Sequence, residues 1–377
     1  MKIAFIVQSD WMTAHFGVRN LFVSCFKLLE EKGHDVQFVS FEYKDGRLFY
    51  YRNIINNAEL FSSISKSTIG TKKRYRSLTK KNKKNKIKLN MQFLGESIKN
   101  DYDAFFITNP WLIEYPIDLG NKPRVLICYD CVANTLTLLN QINKPYWGAA
   151  HNIGYQYAKR NSYYFLSISE KTDREIKEYY NPLNHSYLPP VLTYAFFDVN
   201  YNPEQKKENA IVLAAPFDKR KGLEIMPEYL NRLSSNFDTL YIYGTPRCGR
   251  KLYNKFYKNL KVKNVIHYNK ITSDDLIKLY KKCKFLFFPS IEEGLGMPIM
   301  EAQLCGCRVV TTNAAPMNQL VCSGNYLLTD NIDKDVNKMS EMLQDHTFDY
   351  HKLSINAKKK FSTENVYNKL VSVVTGN

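Results

Sequence analysis

Short apolar runs alternate with polar, turn-rich stretches along the chain, and their lengths predict strands interleaved with helices. Lys2 to Val7 reads as a buried first strand. A loop, Gln8–Gly17, follows, then a helix from about Val18 to Lys32 with Leu21, Phe22, Cys25, Leu28 and Leu29 at helical spacing. Gly33 closes that helix, because glycine accepts the left-handed backbone a helix end demands. Asp35–Val39, Tyr102–Thr108 and Arg124–Cys128 are the next strands. Tyr163 to Ile168 is another, leading into a helix capped by Ser169 with Thr172 and Asp173 in its first turn. The second half repeats the rhythm with Ala210–Ala215, Leu240–Tyr243 before the tight turn at Gly244, and Asn264–Asn269. A helix over Ser273–Cys283 and a last helix over about Thr363–Val374 complete the series. The continuous apolar run of Lys2–Val7 suits a strand buried on both faces of a parallel sheet.

The best-defined unit lies between Lys284 and Asn318. Phe285-Leu286-Phe287-Phe288 suits a buried strand, stopped by Pro289 and Ser290. Gly294 and Gly296 let the backbone turn sharply. Pro298 reads as the first residue of a helix, where its missing N–H costs nothing. That helix ends near Gly306, and Val309–Thr312 is the following strand. A helix start exposes unbonded N–H groups and the positive end of its dipole, so the loop Gly294, Leu295, Gly296, Met297 suits a phosphate. Glu293 stands at the mouth of this loop, and Glu301, four residues past Met297, points back toward it. Two carboxylates suit hydroxyl donors rather than phosphate. A polyol joined to a diphosphate, as in a nucleotide sugar, satisfies both.

The string Pro289-Ser290-x-x-Glu293-Gly294-x-Gly296-Met297-Pro298-x-x-Glu301-Ala302, its glutamates separated by seven residues, resembles the paired-glutamate motif of retaining GT-B glycosyltransferases, in particular family 4. The resemblance implies an α/β fold of two Rossmann-like domains facing each other across a cleft. It divides the chain into an acceptor domain over 1–190, a linker over 191–207, a donor domain over 208–355 and a terminal segment, 356–377, packing back on the first domain. It covers nearly all of 205–374, is patchy in the N-terminal half and leaves 42–100 unmatched. Lys221-Gly222 matches the family's Lys-Gly, whose cation holds the donor diphosphate. Pro216 stands where the family has an arginine, so Arg220 or Lys219 supplies the second cation; the planar fork of arginine favours Arg220. The resemblance makes Glu293 the partner of sugar hydroxyls and Glu301 that of ribose hydroxyls. Main-chain atoms near His267–Asn269, His267 and Tyr268 foremost, would meet the base. Gly17 answers to a glycine pair that approaches the donor in relatives. Arg19 is either an acceptor contact or a surface arginine. Tyr129 occupies the place of a frequent family histidine, and Asp130 is either an acceptor contact or a helix cap.

Composition bounds these expectations. A chain of 377 residues accommodates two α/β halves, and an apolar fraction of 44% supplies their cores. Met1 to Val7 is too short for a signal peptide, and no run approaches a membrane-spanning helix. The eight cysteines are scattered. Cys128-x-x-Cys131 lacks a second pair or a spaced histidine pair, so no zinc site is expected, and reduced thiols suit a cytoplasmic setting. A net charge of +17 calls for an anionic partner. Ten lysines and arginines fall between Lys72 and Lys88 with no acid among them. That run is either a solvated loop or an attachment to the anionic inner face of the plasma membrane.

The implied reaction moves a sugar from a nucleotide diphosphate-sugar, UDP- or GDP-linked, to a hydroxyl of a glycan or lipid-linked acceptor with retention at the anomeric carbon. Family habit sets it in bacterial surface polysaccharide assembly, either O-antigen or capsule. No D-x-D pair stands in a suitable loop, so Lys221, Arg220 and the helix start are expected to stabilise the leaving diphosphate without a metal. No well-placed nucleophile is visible, and the leaving phosphate is expected to help deprotonate the acceptor. Glu292, off the seven-residue spacing, is expected to face solvent. Two other classes compete: a GT-B-like epimerase or catalytically idle binding module, and a nucleic-acid-binding protein suggested by charge and 27 tyrosines. The chain has no recognition-helix or stacking-sheet motif, and nucleic acid is not the expected partner.

Overall fold

A computed structural model describes residues 1–8, 16–44, 47–52, 98, 100–110, 112, 119–132, 146–214, 219–245 and 250–376. They fall into two compact units, one of Met1–Val191 with Thr363–Asn377 and one of Leu192–Ser362. Residues 192–207, expected to be a linker, thus belong to the second unit, and the return to the first begins at Thr363.

The first unit is built on a seven-stranded sheet. Its strands are β1 (Lys2–Gln8), β2 (Asp35–Lys44), β3 (Arg47–Arg52), β4 (Ala104–Ile107), β5 (Arg124–Cys128), β6 (Tyr164–Ser167) and β7 (His185–Tyr187). They lie in the order β3-β2-β1-β4-β5-β6-β7. Every neighbouring pair is parallel except β2 with β3. Phe5 explains the tight centre of this sheet: its ring stacks on Phe106 at 4.9 Å and meets Phe26 and Phe38 edge-on. The first helix, Phe16–Glu31, begins before Val18 and takes Gly17 into its opening turn. Gly33 follows it with φ 84°. Ser169 caps the helix Glu170–Tyr180, its hydroxyl accepting from the Thr172 N–H. The last helix, Thr363–Thr375, packs on the first, with Lys32 paired to Glu364 at 2.5 Å and His34 Nε2 3.1 Å from the Tyr367 hydroxyl.

The hairpin β2–β3 runs into a stretch that reads as polar and weakly periodic. Ladder bonds between backbones need no apolar period, so such an edge pair leaves little trace in a sequence. The basic run 72–88 lies outside the described residues.

The second unit carries a six-stranded sheet, parallel throughout. It comprises β8 (Glu208–Ala214), β9 (Thr239–Tyr243), β10 (Val265–Tyr268), β11 (Cys283–Phe288), β12 (Arg308–Thr312) and β13 (Tyr326–Leu328). Their order is β10-β9-β8-β11-β12-β13, the doubly wound order. Ile211, Leu213, Leu240, Ile242, Phe285, Phe287 and Val310 form its fully buried centre. The order reverses between β8 and β11. Open α/β sheets bind ligands beyond the carboxyl ends of the strands at such a reversal. The two predicted site segments, Arg220-Lys221-Gly222 and Pro289–Met297, follow these two strands.

Candidate active site

Main-chain bonds join the two loops at the reversal point. The Ile291 N–H donates to the Arg220 carbonyl at 2.8 Å, and the Ser290 hydroxyl donates to the same oxygen at 3.2 Å. The Arg220 guanidinium answers by donating to the Glu292 carbonyl at 2.7 Å. Gly222 explains why glycine follows the lysine. It holds φ 76°, and a Cβ there would lie 2.1 Å from the Pro289 carbonyl oxygen. Any side chain would therefore push the loops apart.

This stitching sets the charges. Lys221 Nζ donates to Glu293 Oε1, and the Ser290 hydroxyl donates to the same oxygen at 2.5 Å. Arg220 Nη1 lies 3.7 Å from Glu293 Oε2. Both Lys221 and Glu293 side chains are largely buried, at 13% and 10% exposure. Burial alone would raise the Glu293 carboxyl. The charges of Lys221 and Arg220, with the hydrogen bonds of Lys221 and Ser290, outweigh it and hold Glu293 below the ordinary glutamate value. Glu293 is accordingly an anion at neutral pH. The Lys221 ammonium also lies 5.2 Å from the Phe288 ring centre, at the end of β11.

The loop passes from Glu293 through buried Gly294, Leu295 and Gly296 into the helix Met297–Leu304. Gly296 caps that helix with φ 99°, which a Cβ would oppose. The helix thus begins one residue before Pro298 and four after Glu293, and its start is the anion-favouring end of its dipole. Glu301 sits one turn in and is buried. Its Oε1 accepts from the Thr193 hydroxyl. Burial pushes its carboxyl up to about 7, and the Thr193 hydrogen bond acts in the opposite direction. The hydroxyls of Tyr243 and Tyr280, hydrogen-bonded to each other at 2.5 Å, feel the same carboxylate. Glu292 is half-buried rather than fully solvent-facing.

The other sequence-predicted residues are placed as follows in the fold. His267 uses both ring nitrogens within the fold, Nε2 at 2.9 Å from the Gly244 carbonyl and Nδ1 at 3.0 Å from the Tyr257 hydroxyl. Tyr268, at the end of β10, is exposed and stacks on Tyr241. Gly17, Arg19, Tyr129 and Asp130 belong to the other unit. A Cβ on Gly17 would meet nothing within 4 Å, so no close approach among the described residues demands glycine there. Arg19 is half-buried, which lowers its guanidinium from the ordinary value. Tyr129 is a core residue: its hydroxyl is buried without a hydrogen-bond partner among the described residues. Burial, with the Cys25 and Cys128 thiols nearby, pushes that phenol well up. Asp130 Oδ1 accepts from the Val132 N–H at 3.2 Å, the capping role. Among the described residues no group of three or more His, Cys, Asp or Glu side chains is arranged to hold a metal ion.

Sequence reasoning passed over Thr193, Tyr243 and Tyr280. Nothing local marks Thr193, which lies 108 positions from Glu301.

Comparison with known proteins agrees with the fold. Residues 197–360 match the family described as glycosyl transferases group 1. An uncharacterized 41.2 kDa protein in the cps region of Klebsiella pneumoniae is 26% identical over 164 residues, 44% of each chain. The serotype-specific mannosyltransferase WbdA of Escherichia coli is 33% identical over 99 residues, 25% of this chain and 12% of that one. The chain therefore spans less than half the length of these relatives. The crystal structure of WaaG, a glycosyltransferase involved in lipopolysaccharide biosynthesis, superposes with a TM-score of 0.62 at 15% identity, covering all of both chains. The fold is that of GT-B glycosyltransferases, and the match to the group 1 family lies within the second unit.

Proposed function

We propose that this protein is a glycosyltransferase, retaining and metal-independent, that moves a sugar from a UDP- or GDP-sugar to a hydroxyl of a glycan or lipid-linked acceptor. The observation that carries the reading is the meeting of Arg220, Lys221 and Glu293 beside the Gly294–Met297 loop at the β8/β11 reversal. Departure of the nucleotide diphosphate puts negative charge on phosphate oxygens and positive character on the anomeric carbon. Lys221, Arg220 and the start of the helix Met297–Leu304 stabilise the first as fixed, desolvated charges. Glu293, ionised and braced by Ser290, accepts from sugar hydroxyls. Glu301 accepts from ribose hydroxyls. The acceptor attacks from the face the diphosphate leaves, and a phosphate oxygen takes its proton.

Incubation with UDP- and GDP-sugars, with and without a glycan or lipid-linked acceptor, tests this. Transfer only in the presence of acceptor supports the reading. Conversion of the donor alone would mark an epimerase, and binding without turnover an idle module. The matched regions of the cps-region protein and WbdA favour assembly of a bacterial surface polysaccharide, O-antigen or capsule.

A cytoplasmic enzyme acting on a lipid-linked acceptor needs to reach a membrane. Among the described residues no helix is long and apolar enough to cross one. The basic run 72–88 is proposed as a peripheral anchor, each cation near an anionic surface contributing about 1 kcal/mol. Replacing its lysines by glutamine is expected to release the protein from phosphatidylserine-containing liposomes in co-sedimentation; unchanged binding would remove the anchor from the proposal.

A further inference from the structure

Thr193 stands at the N-cap position of the short turn Tyr194–Phe196. A threonine there ordinarily accepts a hydrogen bond from a main-chain N–H of the turn it precedes. This one does not, and its hydroxyl instead donates to Glu301 Oε1. The turn itself is kept by main-chain bonding, with the Phe196 N–H donating to the Thr193 carbonyl at 2.8 Å. Buried Phe196 anchors it, 6.4 Å from the Tyr280 ring centre. Thr193 is itself buried, so its rotamer is held by packing as well as by the bond.

The consequence falls on Glu301. With 6% of its surface exposed, the residue is more than nine-tenths buried, and Thr193 is its hydrogen-bond partner among the described residues. Oε1 is committed to that hydroxyl, while Oε2 has no such partner among them. Oε2 is not among the fully buried atoms, so on a largely buried residue it stays open to a donor, and a ligand hydroxyl can supply one. We infer that Thr193 is a positioning residue, which by engaging Oε1 turns Oε2 of Glu301 toward a hydroxyl of the donor ribose. This rests on the reading that the second unit binds a nucleotide diphosphate-sugar through Glu301. The hydroxyls of Tyr243 and Tyr280, hydrogen-bonded to each other, lie near enough to feel the Glu301 charge.

The test measures dissociation constants of UDP and GDP and of their 2′-deoxy and 2′,3′-dideoxy forms by calorimetry. Wild type, Thr193→Val and Thr193→Ser are compared. Thr193→Val keeps the shape and removes the donor, and is expected to weaken ribonucleotide binding about tenfold, the worth of one hydrogen bond to a charged group. The same variant is expected to bind the dideoxy form as the wild type does, and Thr193→Ser to restore the ribose preference. Equal weakening toward both forms in Thr193→Val would reduce Thr193 to a structural residue and overturn the inference. An unchanged ribose preference in a folded Thr193→Val protein would overturn it too. Failure of the wild type to bind any of these nucleotides would instead overturn the functional reading beneath it.

Discussion

Lys221→Ala is expected to lower turnover about a hundredfold to a thousandfold, the range found on removing one preorganised stabiliser of developing negative charge. The same change strands Glu293, a buried carboxylate whose depressed pKa depends on the Lys221 charge. Breaking a buried pair from one side costs about 3–5 kcal/mol of stability, because the remaining charge has lost its compensation. A fall in activity alone could therefore come from unfolding. The double variant Lys221→Met with Glu293→Gln separates the two effects. Removing both charges is expected to restore much of the urea midpoint lost in Lys221→Ala while turnover stays abolished. Recovery of near-normal turnover in the double variant, or in Glu293→Gln alone, would place the reacting charges elsewhere. The pair also carries a pH signature. Glu293 is held below its ordinary value, so its contribution to stability is full above about 4.5 and is lost as acid protonates it below that.

Glu301 should behave in the opposite way. Burial pushes its carboxyl up to about 7, against an ordinary 4.5. Between those values the folded protein holds a proton that the unfolded chain has released, so stability falls as pH rises through the window and levels off above it. Glu301→Gln removes that titration. At pH 8 the variant is expected to gain up to about 3 kcal/mol relative to wild type, at 1.36 kcal/mol per pKa unit, and to gain nothing below pH 4. Urea unfolding at both pH values checks this, and an equal difference at the two would refute it. Activity should move against stability. Ribose hydroxyls are better held by the ionised carboxylate, so UDP or GDP affinity in wild type is expected to rise from pH 6 to pH 8. In Glu301→Gln the affinity should be lower and lose that rise. The burial that destabilises the empty site thus keeps an acceptor desolvated for its ligand.

Both predictions concern residues the sequence brings forward, yet the reasons behind them come from elsewhere. The Glu293–Glu301 spacing, the glycine loop and the helix it opens are contiguous, so local backbone rules place them in order. The resemblance points Lys221 to the donor phosphate, but nothing local in the sequence points it to Glu293, 72 positions later. Asp130, readable as an acceptor contact or a helix cap, caps, while Tyr129 is a core residue, buried near Cys25 and Cys128. The β2–β3 hairpin went unseen because it is written in backbone bonds rather than in an apolar period.

What the amino-acid sequence determined by itself was the alternation of buried strands and amphipathic helices, the turns that glycine and proline impose, and a loop able to receive an anion. These follow from the conformational limits and hydrophobicity of neighbouring residues. Tertiary structure decided which loops meet. Placing β8 against β11 stitches Arg220 to Ser290 and Glu292, closes Lys221 on Glu293, and leaves room only for glycine at 222. It also diverted the Thr193 hydroxyl from its own turn to a carboxylate 108 positions away. Such meetings depend on strand order and on the low-dielectric interior it creates, where a charge's strength is set by neighbours that sequence distance does not reveal.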